Sequence, residues 1–466
     1  MANYYTTNQT SSTMKRREFI KNTAILAAAV EIPALANASE RMASPTSITA
    51  NNNTEQSENK PFIDTAPALQ NYAETSIGIT FGVTDMANGF VTYGLKPDLS
   101  DGITVKCGGY RVTRIDDKVM QVRLTGLKPA TTYYYRIGAD RISYQGGYRM
   151  EVLETVVDEK IYSFTTAGKG ARSHFCVMND THINWESFGP TIDKIVELNP
   201  SCAIWNGDAL NNDESMDVLK SVFLAPKIIK SDYASTLPLL LAPGNHENRG
   251  FETRTLENIW MFRQPEERSS RDWDLGRNFA VRMGDIALIG LDTAEDKLDT
   301  NTKLAGLFTS EPYRVAQTAW LEDALRQPEI ASAPYLVAFC HIPLFDPNPK
   351  SNPGDLYPND VHPDYHSDYA AWQRTCAKMW SPLLNKAKCQ LVITAHEHIY
   401  RYDAPDADRK WAQIVGGGPS MKGHPRVFPT VVEGKVEEGK LCVRVHNIYS
   451  GKVQEEFTFK PRKKRS

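Results

Sequence analysis

The sequence predicts a two-domain protein of mixed α+β and α/β type, in which an all-β sandwich precedes a layered α/β domain. Residues 65–168 contain short segments in which apolar and polar residues alternate between Gly, Pro and Asp, as in β-sandwiches of about 100 residues. Residues 172–460 instead alternate fully apolar runs with helical segments, which is typical of α/β domains. The length of 466 residues agrees with two domains, because a single core seldom exceeds about 300 residues.

Residues 1–36 have the pattern of a twin-arginine export signal. Arg16 and Arg17 form the arginine pair, a short apolar run follows, and Ala34-Leu35-Ala36 supplies the small residues that a signal peptidase requires. Glu31 departs from the pattern, since it places a charge where the apolar run should continue, and a disordered basic N-terminus is the alternative. The run is shorter than the roughly 20 residues that span a bilayer. We therefore expect export to the periplasm or the extracellular space and no transmembrane segment.

A flexible linker is expected ahead of the β-sandwich, because residues 37–64 are rich in Ser, Asn, Thr and Glu. Within the sandwich, the alternation of apolar and polar positions indicates five strands. The expected strands are 76–83, 90–93, 118–124, 132–137 and 160–165.

The segment 122–136 carries a more specific signal. It reads as a strand, a Gly-Leu-Lys-Pro turn and a tyrosine-rich strand, and it resembles the corresponding part of fibronectin type III-like domains. In particular it is similar to the N-terminal domain of purple acid phosphatases. Leu124 and Leu127 are expected to fill the core at this corner, while Pro129 fixes the turn. The segment predicts a scaffold and identifies no catalytic residue.

In the second domain, six apolar runs predict buried strands and one periodic segment predicts a helix. The helix covers residues 314–327, where apolar side chains recur at a spacing close to 3.6 residues. The expected strands are 175–178, 202–205, 238–241, 287–291, 335–339 and 390–394.

Five of these predicted strands are followed directly by residues that bind metals. Since the carboxyl ends of neighbouring strands converge at one edge of an open α/β sheet, we expect these residues to meet. In extended chain, residues i and i+2 point the same way, so each Asp-x-His or His-x-His pair can face one pocket. The groups are Asp180-Thr181-His182, Gly207-Asp208, Gly244-Asn245-His246-Glu247, His341 and His396-Glu397-His398.

The order of these groups resembles that of calcineurin-like metallophosphoesterases, over about residues 174–420. The resemblance implies an αββα sandwich and a site for two transition-metal ions of Fe, Mn or Zn, with hydrolysis by attack of a metal-bridged hydroxide. It also implies that His246 contacts the phosphate and protonates the leaving group. One ion would be held by Asp180, His182, Asp208 and His398, and the other by Asp208, Asn245, His341 and His396.

Two departures from related enzymes narrow the expectation. Purple acid phosphatases carry a metal-binding Tyr at the position of Asn211 and lack the histidine at position 182, so this protein is not expected to be purple. Protein Ser/Thr phosphatases carry an Asp at that same position, so Asn211 also argues against a protein phosphatase. We expect Asn211 to orient His246 by a hydrogen bond, and Glu247 and Asp292 to support the ligands.

Substrate contacts are expected from His362 and His366, which lie in a polar, Pro-rich loop after the fourth group, although exposed loop histidines without a role are the alternative. The formal net charge of −3 argues against a nucleic-acid-binding protein. The sequence therefore predicts a hydrolase of small phosphate esters, foremost a phosphomonoesterase. Two alternatives stay open: a phosphodiesterase or nucleotidase with the same site, and a catalytically inactive surface protein that binds through its sandwich.

Overall fold

Twenty β-strands in three sheets, together with five α-helices, form the part of the chain that the computed structural model describes. That part comprises residues 61–107, 117–212, 215–262, 273–302, 307, 309–347 and 365–462, and of residues 365–374 it comprises the backbone alone. The predicted export signal and nearly all of the predicted linker lie outside it. No helix of the described residues has the length and apolar character needed to cross a membrane.

The β-sandwich is built from the first eight strands. Its two layers are the antiparallel group β1-β2-β5 and a sheet in the order β4-β3-β6-β7, with β8 beside β6. All five predicted strands are confirmed, and both Leu124 and Leu127 are buried in the core between the layers. The strands are β1 (Ala68–Gln70), β2 (Ile77–Gly82), β3 (Ala87–Gly94), β4 (Ile103–Lys106), β5 (Val119–Leu124), β6 (Thr132–Tyr144), β7 (Met150–Val157) and β8 (Tyr162–Thr165).

In the described part of the second region there are twelve strands and five α-helices. All six predicted strands are confirmed, and the predicted helix 314–327 corresponds to α3. In chain order the elements are β9 (His174–Met178), α1 (Trp185–Leu198), β10 (Cys202–Trp205), α2 (Met216–Phe223), β11 (Leu239–Leu241), β12 (Phe279–Met283), β13 (Ile286–Leu291), α3 (Ser310–Arg326), α4 (Pro328–Ser332), β14 (Tyr335–Cys340), α5 (Tyr365–Lys386), β15 (Leu391–Thr394), β16 (Arg401–Asp403), β17 (Ala412–Val415), β18 (Thr430–Glu437), β19 (Lys440–Asn447) and β20 (Lys452–Phe459).

These elements form the predicted αββα sandwich. Strands β9, β10 and β11 are parallel in one sheet, and β13, β14, β15 and β17 are parallel in the other. The two sheets face each other across a core in which the ring of Phe175 meets that of Phe339 edge-on, with centroids 5.6 Å apart. Helices α1 and α2 cover the outer face of the first sheet, while α3, α4 and α5 cover that of the second. Burial on both faces explains why these strands are continuous apolar runs.

The β-sandwich and the αββα region share one sheet. Strand β1 runs parallel to β11, with Gln70 opposite Leu239, so the nine-stranded sheet has the order β20-β19-β18-β9-β10-β11-β1-β2-β5. The fully buried Gln70 side chain completes this junction. Its Nε2 donates to the carbonyl of Ile259 (3.1 Å), and its Oε1 accepts from the main-chain N–H of Met261 (2.9 Å) and from the hydroxyl of Thr80 (2.9 Å).

A buried carboxylate ties the C-terminal strands to β9. Glu433 on β18 lies between His174 on β9 (2.9 Å) and His446 on β19 (3.1 Å), each of which approaches a different carboxylate oxygen. Although burial raises the pKa of Glu433, its hydrogen bonds to the two histidines hold the pKa well below the ordinary value. These two histidines therefore have a structural partner.

We expect Gln70→Ala to lower the free energy of unfolding by about 2–4 kcal/mol, because it leaves the buried Ile259 carbonyl and Met261 N–H unpaired. Gln145→Ala, in the exposed turn after β6, is the matched control and should change stability by less than about 0.5 kcal/mol. Urea titrations of both variants and of the parent protein measure the difference. Equal stability of the two variants would show that the junction does not depend on Gln70.

Candidate metal centre

The carboxyl ends of β9, β10, β14 and β15 meet at one edge of the two sheets, together with the loop that follows β11. Hydrogen bonds between the loops hold them together: Asp180 N–H donates to the Gly207 carbonyl (3.0 Å), and Ala395 N–H donates to the His341 carbonyl (2.7 Å). All seven residues predicted to bind metals lie at this edge. They form two groups that share Asp208, one with Asp180, His182 and His398, and the other with His341, His396 and Asn245.

The first group presents two ring nitrogens and two carboxylate oxygens to one point. His182 Nε2 lies 3.0 Å from His398 Nε2 and 3.5 Å from Asp208 Oδ2, while His398 Nε2 lies 3.4 Å from Asp180 Oδ1. Atoms bonded to one ion at about 2 Å are themselves separated by about 3–3.5 Å. The spacing of the four atoms therefore fits a single ion.

The second group is oriented by the main chain. His341 Nδ1 lies 2.8 Å from the Asn206 carbonyl, so Nδ1 carries the proton and Nε2 faces Asp208 Oδ2 at 3.1 Å. Asn245 Oδ1 lies 2.9 Å from His396 Nδ1, again the spacing of two neighbouring ligand atoms. The same Asp208 oxygen thus faces both groups, which is the position required of a bridging ligand.

Two buried atoms at the centre find no hydrogen-bond partner among the described residues. They are Asp180 Oδ1 and His341 Nε2, which lie 3.8 Å apart in a part of the molecule where neither side chain is exposed. A buried carboxylate oxygen and a ring nitrogen left in this state are costly unless each of them faces a bound cation. The residues present therefore fit a pair of bound cations.

The electrostatic field at the centre favours positive charge. Burial lowers the pKa of His341, but the carboxylates of Asp208 and Asp180 outweigh it and raise that pKa to about 10. Farther from the carboxylates, burial dominates and lowers the pKa of His182 to about 4. The carboxylates of Asp208 and Asp180 thus favour a positive charge at His341.

The loops reach this arrangement through strained backbone. Five of the seven predicted ligands have φ in the left-handed region, which side chains other than Gly rarely adopt. Gly207 also has a positive φ of 79°, and a Cβ atom at this position would lie 2.5 Å from His341 Nδ1, so only glycine fits. The five residues and their φ values are Asp180 (45°), His182 (44°), Asp208 (49°), His396 (70°) and His398 (56°).

Glu247 holds the loop that carries Asp208. Its fully buried carboxylate accepts the main-chain N–H groups of Asp208 (2.9 Å), Ala209 (2.8 Å), Leu210 (3.3 Å) and Gly244 (2.6 Å). Burial, with the nearby Asp208 charge, raises the pKa of Glu247 to about 7. Glu247 was expected to support the ligands, and its hydrogen bonds are made to the backbone of the loops that carry Asp208 and Asn245.

His246 lies beside the predicted ligands, with its ring 4.8 Å from that of His182, and its side chain is 25% exposed. Its Nδ1 bonds the main-chain carbonyl of Asn211, so the predicted contact with Asn211 exists but uses the backbone and not the side chain. A carbonyl only accepts, so Nδ1 carries the proton and Nε2 is the acceptor. Nε2 lies 4.0 Å from Asp208 Oδ2 and receives a hydrogen bond from Arg249 Nη1 (3.2 Å).

Asp292 was also expected to support the ligands, and it is connected to their loops through other residues. Its carboxylate accepts the hydroxyl of Tyr313 (3.1 Å) and lies 3.7 Å from Arg277 Nη1. Arg277 donates to Asn248 Oδ1 (2.8 Å), and Asn248 Nδ2 donates to the Gly244 carbonyl (3.0 Å). Asp292 is therefore linked to the loop of Asn245 and His246 through three intervening contacts.

Sequence reasoning missed the residues next to Asp292. Glu295 and Asp296 follow β13 and are buried against Arg249, and Asp296 Oδ2 lies 3.9 Å from His396 Nε2. A strand end followed by three acidic residues within five positions was the available signal. His362 and the side chain of His366 lie outside the described residues.

We expect Glu247→Gln to lower metal affinity about 10- to 100-fold, because glutamine offers one acceptor oxygen and turns N–H groups toward main-chain donors. Competition with a chromogenic chelator measures the affinity. Glu186→Gln, on the exposed first turn of α1, is the matched control and should leave it unchanged. Unaltered affinity in a folded Glu247→Gln variant would mean that the loops are held without this carboxylate.

Comparison with known proteins agrees with this architecture. The profile of calcineurin-like phosphoesterases matches residues 173–400, and that of the purple acid phosphatase N-terminal domain matches residues 42–166. Purple acid phosphatase 21 of Arabidopsis thaliana is 23% identical over 300 residues, which cover 63% of this chain and 55% of the relative. Purple acid phosphatase 15 of the same plant is 23% identical over 343 residues, which cover 65% and 54%.

The chain spans about half the length of these curated relatives. Among solved structures, purple acid phosphatase PPD1 from yellow lupin (Lupinus luteus) seeds has a TM-score of 0.57 at 15% identity, covering 85% of this chain and 74% of that one, which shows a common fold. The chain therefore contains a calcineurin-like phosphoesterase domain, preceded by a domain of the purple acid phosphatase N-terminal type.

Proposed function

We propose that this protein is an exported phosphomonoesterase that works with two bound metal ions. The observation that carries the proposal is the convergence of seven metal-binding side chains in two groups that share one oxygen of Asp208. Each position holds a residue that is chemically able to bind a metal, which argues against an inactive protein that keeps only the fold.

In this proposal, Asp180, His182, Asp208 and His398 hold one ion, and Asp208, Asn245, His341 and His396 hold the other. Two divalent ions of Fe, Mn or Zn would supply Lewis acidity toward the phosphate oxygens and an activated water. The protein contributes two carboxylate charges, from Asp180 and Asp208, so that two divalent ions leave the centre positive and attractive to a phosphate ester.

His246 is the proposed proton donor to the leaving group. Its side chain is a quarter exposed, so it reaches the open side of the centre, and Nε2 is 4.0 Å from the shared Asp208 oxygen. The Asn211 carbonyl fixes Nδ1 as the other, protonated nitrogen and so directs Nε2 at the substrate. To act as the acid, the ring must also take up a proton on Nε2, in place of the hydrogen bond that Nε2 accepts from Arg249; delivery of that proton to the ester oxygen would let the alcohol depart neutral.

The domains are proposed as predicted: an export signal at 1–36, a linker at 37–64, a β-sandwich at 65–168 and the phosphoesterase domain at 172–460. Export rests on Arg16, Arg17 and the Ala34-Leu35-Ala36 segment. Fusion of residues 1–36 to a reporter that is active only outside the cytoplasm tests it, with Arg16→Lys and Arg17→Lys together as the variant that should block export.

The decisive experiment measures the metal content of the purified protein together with hydrolysis of p-nitrophenyl phosphate before and after chelation. We expect about two transition-metal ions per chain, activity that is lost on chelation and activity that returns with metal. Bound metal with hydrolysis of bis(p-nitrophenyl) phosphate alone would favour a phosphodiesterase. A protein without metal would contradict the proposal and would favour a binding role for the sandwich.

Two substitutions separate the proton donor from the metal ligands. We expect His246→Ala to lower kcat by about 10²- to 10⁴-fold with both metals retained, as for loss of a general acid. Asp208→Asn should instead remove both metals, because the shared carboxylate is lost. Metal analysis and kinetics of the two variants give the comparison; metal loss in His246→Ala, or full metal content in an active Asp208→Asn, would contradict these roles.

A further inference from the structure

Arg249 lies beside the proposed proton donor and is held in place by two buried carboxylates. Its Nε donates to Glu295 Oε2 (2.9 Å), and its Nη2 donates to both Glu295 Oε1 (2.7 Å) and Asp296 Oδ1 (2.8 Å). Neither carboxylate is more than 2% exposed. Three of the five N–H groups of the guanidinium are thus used to fix its position.

The remaining Nη1 edge faces His246. Nη1 donates to His246 Nε2 at 3.2 Å, while the Arg249 side chain is 25% exposed. An arginine that is clamped on one edge and open on the other is already oriented for an anion and loses little freedom on binding it. A surface ion pair would not need three hydrogen bonds to two buried carboxylates, so this arrangement suggests that the orientation of the guanidinium matters.

The open edge lies within reach of a substrate at the centre. His246 Nε2 is 4.0 Å from Asp208 Oδ2, the oxygen shared by the two groups, and Arg249 Nη1 is 3.2 Å from the same Nε2. A phosphoryl group that sits above the shared oxygen and contacts Nε2 with its leaving-group oxygen therefore brings another of its oxygens to Nη1.

We propose that Arg249 binds a peripheral oxygen of the terminal phosphoryl group and thereby makes the centre selective for phosphomonoesters over phosphodiesters. This inference rests on the proposed function and assigns phosphomonoesters as the substrate class of the centre. A monoester has three non-bridging oxygens and a charge of about −1.5 to −2 at neutral pH. A diester has one negative charge and only two non-bridging oxygens. An organic group occupies the position of the third oxygen, which in a monoester would accept a hydrogen bond from Nη1. The diester therefore lacks this charge-assisted hydrogen bond.

The test compares metal-loaded parent protein with Arg249→Ala and Arg249→Lys. Calorimetry with inorganic phosphate measures anion affinity without turnover, and kcat/KM is measured for p-nitrophenyl phosphate and bis(p-nitrophenyl) phosphate. We expect Arg249→Ala to weaken phosphate binding and monoester kcat/KM by about 10- to 100-fold, with diester kcat/KM changed less than about threefold. Arg249→Lys keeps the positive charge between Glu295 and Asp296. Its phosphate affinity and monoester kcat/KM should therefore lie between those of the parent protein and those of Arg249→Ala.

Arg444→Ala is the matched control. Arg444 has a similar side-chain exposure of 23% and also lies against carboxylates, those of Glu437 (2.7 Å) and Glu456 (3.3 Å), but on strands β18 to β20. It should leave phosphate affinity and both kcat/KM values unchanged. If Arg444→Ala lowers them as much as Arg249→Ala does, the effect is general destabilisation and the inference is wrong.

Three further results would overturn the inference. Equal losses of kcat/KM for the monoester and the diester in Arg249→Ala would mean that Arg249 acts only through His246. Loss of metal from Arg249→Lys would mean that Arg249 supports the metal centre. Unchanged phosphate affinity in Arg249→Ala would mean that Arg249 does not contact the phosphoryl group. Failure of the proposed function has a different signature, since parent protein would then lack metal or hydrolyse neither ester. If parent protein holds metal and binds phosphate without turnover, the comparison of phosphate affinities still decides the role of Arg249.

Discussion

The structure depends on holding two carboxylates, Asp180 and Asp208, close together where water does not reach. Burial raises the pKa of each, yet the neighbouring histidines lower both below their ordinary values, so both are charged. Each carboxylate divides its oxygens in the same way. Asp180 Oδ2 accepts from Asn179 Nδ2 (2.6 Å) and His396 N–H (3.1 Å), and Asp208 Oδ1 accepts from His246 N–H (2.9 Å). The other oxygen of each faces the centre, where bound cations would compensate the charge.

This division of oxygens sets the shape of the loops. Such a carboxylate accepts main-chain hydrogen bonds with one oxygen and faces the centre with the other, so its orientation relative to the loop is fixed. The residues with left-handed backbone at the strand ends allow this orientation. Hydrogen bonds within the loops offset this strain, foremost those that four main-chain N–H groups donate to the Glu247 carboxylate. Glycine is needed where a ring passes close to the chain: a Cβ on Gly418 would lie 2.5 Å from His398 Cβ. Hydrogen bonds and close packing thus define the conformation of the loops at the centre.

The strands and the ligand set could be predicted from the sequence because both leave local signals. Strands buried on both faces are unbroken apolar runs, and the ligand residues follow them directly. The junction between the regions left no such signal, since β1 has three residues and one of them is the polar Gln70. The contact between His246 and Asn211 uses a main-chain carbonyl, which any residue provides. Arg249 is recognisable only from its partners Glu295 and Asp296, which are 46 and 47 positions away.

The segment between His246 and Phe262 connects the metal centre to the β-sandwich. It starts with the proposed proton donor and Arg249, and farther along it the carbonyls of Glu257 and Ile259 accept from Gln121 (3.0 Å) and Gln70 (3.1 Å) of the sandwich. The sandwich therefore fixes one end of a segment whose other end carries residues of the centre. A sandwich that served only as a separate binding module would need neither a shared sheet nor these buried hydrogen bonds. Its contacts are those of a structural support for the phosphoesterase fold, and this favours the enzymatic interpretation over that of an inactive binding protein.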